Sequence, residues 1–61
     1  MDKWFRTRKP GVYAHIVGRY MDTARLTIYA EGCGGVRPVV LFDRVYLRAT
    51  QAYAALASLE V

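Results

Sequence analysis

VYAHIVGRYMDTARLTIYAE, residues 12–31, decides the fold. Residues 12–20 are β-formers with side chains of alternating character. Val12, Ala14, Ile16 and Tyr20 fall on one side, and Tyr13, His15, Val17 and Arg19 on the other. Such period-2 alternation marks a half-buried strand. Gly18 interrupts it as a bulge or a close approach would. Met21, Asp22 and Thr23 form a short link, and ARLTIYAE repeats the alternation over residues 24–31. Leu26 and Ile28 point one way, and Arg25, Thr27 and Tyr29 the other. Two such runs joined by a short turn predict an antiparallel hairpin.

The next run, VRPVVLFDRVYLR at 36–48, is long for one strand. Pro38 has no N–H for a ladder, so the run begins at a sheet edge or outside the sheet. It is either one bent strand or two short strands turning at Asp43-Arg44. The odd positions Val39, Leu41, Val45 and Leu47 keep one apolar side, which favours a single strand bulged near Asp43. On that reading Phe42, Arg44, Tyr46 and Arg48 face away from the core.

Gly32, Cys33, Gly34 and Gly35 separate the second and third strands. Glycines permit the positive φ angles of tight turns. A phosphate-cradling loop would also need a following helix N-terminus and a Lys-Ser/Thr pair. A β-rich stretch follows instead, so the segment reads as a hairpin connection. Cys33 has no base near it in sequence and is not read as a nucleophile.

The C-terminal ATQAYAALASLEV changes character, because alanine and leucine favour helix. Thr50 is the expected N-cap of a helix from about Gln51 to Leu59. Its apolar residues wrap nearly all round the cylinder, and such a helix is normally buried. One small sheet covers one side only. The other side is therefore expected to meet a second copy, giving a homodimer through Tyr53, Leu56 and Leu59. The alternative is an outer side that is alanine-rich and tolerates solvent.

Residues 1–11 form a basic arm, with Lys3, Arg6, Arg8 and Lys9 around Trp4 and Phe5. Trp4 either caps one end of the core or offers a ring for stacking. Residues 12–61 make a single sheet-plus-helix domain. The predicted fold is α+β: a three- or four-stranded antiparallel β-meander, one C-terminal helix on one face, and a homodimeric state.

A chain of 61 residues buries only about 60% of its unfolded surface and is marginal alone. A single cysteine excludes an internal disulfide framework, and one cysteine with one histidine cannot make a familiar zinc site. Oligomerisation is then the expected source of extra stability. Hydrophobic residues are 54% of the chain, which argues against disorder. Nine Lys and Arg against five Asp and Glu give a net charge of +4 and a pI near 9.6, a balance that favours polyanionic partners.

No apolar run approaches the ~18 residues of a membrane span. MDKWFRTRKPG lacks the apolar region of a secretory signal. A lone cysteine fits a reducing, intracellular setting, cytoplasmic or nucleoid-associated. A membrane-surface role would want a basic amphipathic helix, and this helix carries no Lys or Arg. Catalysis is not expected. His15 is the sole histidine and sits mid-strand, and the carboxylates are scattered. No catalytic residue, metal site or cofactor is assigned.

A binding surface has more support. With the apolar sides on the helix, the open side is expected to gather Tyr13, Arg19, Arg25, Tyr29, Arg44, Tyr46 and Arg48. Arg6, Arg8 and Lys9 would add cationic contacts. Sheet aromatics stack unpaired bases, and arginines bind phosphates and stack as well. The combination suits single-stranded DNA or RNA better than a duplex, whose bases are already stacked. Cross-strand aromatic and Arg–aromatic pairs also stabilise sheets that bind nothing. The alternative function is therefore a homo-oligomeric interaction or assembly module with incidental charge. A curved antiparallel meander followed by a dimerising C-terminal helix is similar to small single-stranded DNA-binding coactivator domains. The likeness covers most of the chain in architecture alone, and no residue role is carried over from it.

Overall fold

The computed structural model describes residues 2–32, 34 and 36–59. Four strands run in chain order: β1 Asp2–Arg6, β2 Val12–Gly18, β3 Ala24–Ala30 and β4 Val39–Tyr46. Helix α1, Ala49–Ser58, follows. The strands form one antiparallel sheet in the order β1-β2-β3-β4, an open meander with β1 and β4 as its edges. The chain measures 38 × 21 × 15 Å along its principal axes, a sheet with one helix laid across it.

The alternation of residues 12–31 translates directly into two faces. Ala14, Ile16, Ala24, Leu26 and Ile28 are buried, and α1 contributes Ala52 to the same cluster. Three of these six are alanines. Side chains that short let the helix axis come close to the sheet, which makes the core thin. Phe5, Val12, Phe42, Tyr46, Tyr53, Leu56 and Leu59 close its rim. The Phe5 and Tyr53 rings meet edge-on at 5.9 Å, a favoured aromatic geometry.

β4 departs from the sequence expectation. Phe42, Arg44 and Tyr46 lie opposite Ile28, Leu26 and Ala24, so they stand on the helix side. Asp43 and Val45 lie opposite Thr27 and Arg25 on the open side. The odd positions therefore do not form the core face. Two forces explain the reversal. Phe42 and Tyr46 offer more apolar area to the core than the valines do. Asp43 on the helix side would be a carboxylate without a partner in an apolar layer, which is costly. The irregularity lies between Ile28 and Tyr29 on β3, whose partners on β4 are Phe42 and Val40. Leu41 is the extra residue of this bulge, and it breaks the parity that groups Val39 and Leu41 with Val45 in the sequence.

Residues 2–6, expected to trail as an arm, form β1 paired along β2. The connection that follows is tight. Thr7 N–H donates to Val12 O, and Val12 N–H to Lys9 O, both at 3.2 Å. Gly11 sits at φ +75°, a conformation that L side chains rarely adopt. α1 begins two residues earlier than expected. Arg48 rather than Thr50 is its N-cap, and Arg48 N–H donates to Gln51 Oε1 at 3.2 Å. The outer side of α1 carries Thr50, Gln51, Ala54, Ala57 and Ser58, all exposed. Tyr53, Leu56 and Leu59, the expected dimer contacts, are turned toward the chain's own sheet. The Cys33 and Gly35 of the glycine-rich connection lie outside the described residues.

Candidate functional site

The open face consists of three cross-sheet rows set by strand register. Arg6, Tyr13, Tyr29 and Val40 make the first, Trp4, His15, Thr27 and Asp43 the second, and Asp2, Val17, Arg25 and Val45 the third. Trp4 stacks on His15 with centroids 4.0 Å apart and planes 6° from parallel. Its ring also lies 5.7 Å from Tyr29, tilted by 34°. Trp4 remains 60% exposed, so one ring surface rests on His15 while much of the indole meets water.

This face is not uniformly cationic. His15 Nε2 contacts Asp2 Oδ1. Arg25 Nε donates to Asp43 Oδ1 at 2.8 Å, with a second contact from its NH2 group to Oδ2. Thr27 Oγ1 donates to Asp43 Oδ1 at 3.2 Å. The hydrogen bond from Arg25 holds the Asp43 carboxyl below the ordinary aspartate range. Partial loss of water opposes that shift, and the Thr27 hydroxyl adds to it. Both carboxylates of the face are thus matched, and the guanidinium of Arg25 is engaged.

A group with a depressed folded pKa contributes stability above its unfolded value, and the contribution is lost as pH falls through the folded one. Asp43→Asn is accordingly expected to be less stable than wild type at neutral pH. The difference should close as pH drops below the ordinary carboxylate range. Urea midpoints measured across an acid pH series check this, and a gap independent of pH would contradict it.

Three of the cations that make no ion pair with a described carboxylate, Arg6, Arg8 and Lys9, stand together at one end. The β1–β2 turn places Arg6, Arg8 and Lys9 with Thr7, Pro10, Gly11 and Tyr13 around an open cleft of about 370 Å³. A second cleft, of about 440 Å³, runs from Arg6, Thr7 and Arg8 to the last turn of α1 at Leu56–Leu59. Thr7 Oγ1 lies 2.9 Å from Val12 O and accepts from Lys9 N–H at 3.2 Å. The cationic turn is therefore built on a hydrogen-bonded frame. Glu31 adjoins the turn, its backbone N–H donating to Gly11 O at 2.6 Å.

The ten residues expected to form one nucleic-acid surface are divided. Arg6, Tyr13, Arg25 and Tyr29 share the open face, and Arg8 and Lys9 adjoin it in the turn. Arg19 sits past the end of β2, where its N–H donates to Thr23 O. Arg44 and Tyr46 stand on the helix side, with the Arg44 guanidinium 5.2 Å from the Tyr46 ring centre, and Arg48 caps α1. Trp4, expected either to cap the core or to offer a ring for stacking, stands on the open face beside His15 and Tyr29. The alternation in DKWFR carries the signal, because it separates Trp4 from the core-facing Phe5.

Among the described residues, no group of three or more His, Cys, Asp or Glu is placed to hold a metal ion. No described helix is long and apolar enough to cross a membrane. No protein-family model matches the chain, and no curated protein or solved structure matches it significantly.

Proposed function

We propose that the protein is a non-enzymatic nucleic-acid-binding domain that takes single-stranded DNA or RNA at the β1–β2 end of its open face. The observation that carries this reading is the juxtaposition of stackable rings with three cations that make no ion pair among the described residues. Arg6, Arg8 and Lys9 surround Tyr13 in one cleft, and Trp4 and Tyr29 lie together on the same face. Phosphates would lie along the turn, and an unpaired base would stack on the outer surface of Trp4. Arg44 and Tyr46 stand on the helix side of the sheet, Arg48 caps α1, and all three lie outside this track. A homodimeric state is a separate proposal; Tyr53, Leu56 and Leu59, the contacts expected for it, are partly buried against the chain's own core.

Fluorescence anisotropy with a labelled single-stranded oligonucleotide tests this placement. Contacts to single strands give a salt slope of roughly −0.7 per phosphate neutralised. Replacing Arg6, Arg8 and Lys9 by alanine is expected to weaken binding and to flatten the slope by about 2. Replacing Arg44 and Arg48 should leave the slope near its wild-type value. Equal losses from the two sets would refute a site at the β1–β2 end.

A further inference from the structure

The two edges of this sheet are built differently. β1 is short and carries Asp2, Lys3 and Arg6 among its five residues, which discourages another strand from pairing with it. β4 is eight residues long and, among the described residues, has β3 as its only strand neighbour. Val39, Val40, Leu41 and Val45 are each more than half exposed, and Leu47 just beyond them is 79% exposed. Val40 and Val45 lie on the open side, while Val39 is in the row of Ala30 on the helix side. The edge is therefore apolar on both sides. Its two charges are already committed, Asp43 to Arg25 and Arg44 over Tyr46. The bulge at Leu41 is the one guarding device, and it affects only the first part of the strand.

We infer that β4 pairs with β4 of a second copy, antiparallel about a two-fold axis normal to the sheet, to give a continuous eight-stranded sheet. Charge selects this occupant. Each chain carries +4, so two copies repel wherever cationic surfaces meet. The stretch from Val39 to Leu47 holds one aspartate and one arginine and is electrically neutral. A strongly acidic partner strand would gain little from such an edge. An identical neutral apolar strand gains a ladder of backbone hydrogen bonds and shelter for the valines. Registers centred on Asp43 or Arg44 set like charges directly opposite each other and are disfavoured. Centring on Phe42 or Val45 avoids this. The symmetry leaves both helices on one side, both open faces on the other, and both β1 edges at the far ends. This inference does not depend on the nucleic-acid reading.

Sedimentation equilibrium tests it. Wild type is expected at twice the 6.9 kDa chain mass, and the Val40→Lys, Val45→Lys double variant at the chain mass. Both positions point away from the core, so circular dichroism should be unchanged. Ala54→Lys on the outer side of α1 should leave the dimer intact. As a second readout, β4 amide exchange in wild type should slow as protein concentration rises. A wild type that stays monomeric up to its solubility limit would overturn the inference. So would a dimer that survives the double variant, or one lost only in Ala54→Lys.

Discussion

Leu26→Ala is expected to leave the chain largely unfolded in water. Leu26, Ile16 and Ile28 are the largest fully buried side chains, and the rest of the buried core is alanine. Removing a buried leucine side chain costs about 2–5 kcal/mol, because the lost transfer energy is joined by a cavity term. A core in a chain this small rarely supplies more than about 3–5 kcal/mol in total. The substitution therefore removes a quantity comparable to the whole stability. Two small neighbours, Ala14 and Ala24, cannot expand into the space. Urea denaturation followed by circular dichroism checks the expectation, with Tyr20→Ala as the control. Tyr20 is largely exposed, and such substitutions usually stay within about 0.5 kcal/mol. A cooperative transition for Leu26→Ala at the wild-type midpoint would contradict the assignment of the core.

Gly32→Ala is expected to be the most damaging change outside the core. A Cβ at this position would lie 2.0 Å from Val36 O, 2.7 Å from Val36 C and 2.9 Å from Arg37 O. All three atoms are backbone, so relief requires the chain to move rather than a side chain to swing aside. Forced overpacking of this kind costs about 1–3 kcal/mol. Gly34 offers a contrast. It has φ +62° but nothing within 4 Å of its Cβ position, so Gly34→Ala meets backbone strain without a collision. Stability of the two variants should rank Gly34→Ala above Gly32→Ala. The reverse order would mean that the chain does not close on itself between Gly32 and Val36.

The hairpin of residues 12–31 was legible in the sequence because its two runs alternate cleanly and the core takes one parity from each. β4 was harder to read. Its valines and leucine fall on odd positions, and grouping them gave the wrong face. The sign of the error was Asp43, a carboxylate in the middle of that supposed core face. Arg25 on the neighbouring strand was its natural partner, but pairing them required the register, which periodicity along one strand does not provide. The bulge at Leu41 then shifted the parity without any glycine to announce it. The helix was legible in composition, but its orientation was not. Alanines surround it, and only packing shows that Ala52, Tyr53, Leu56 and Leu59 point inward while Ala54 and Ala57 do not. The candidate surface was read in part for the same reason. Tyr13, Arg25 and Tyr29 stand on the open side as the alternation implies, Arg19 lies past the end of β2, Arg44 and Tyr46 are on the helix side, and the basic residues 2–6 form an edge strand rather than an arm.

Trp4 is the sole tryptophan of the chain, which makes its fluorescence a direct report on the proposed site. Titration of the protein with an unlabelled single-stranded oligonucleotide, repeated over a salt series, is the most direct test of the central claim. A base stacking on the exposed surface of the indole should quench the emission. The midpoint should move to higher oligonucleotide concentration as salt rises, and a duplex of the same length should quench less. Trp4→Ala should weaken binding by roughly 1–3 kcal/mol in a matched anisotropy titration, the range for one stacked base. Unchanged Trp4 emission at low salt, under saturating single strand, would contradict the account.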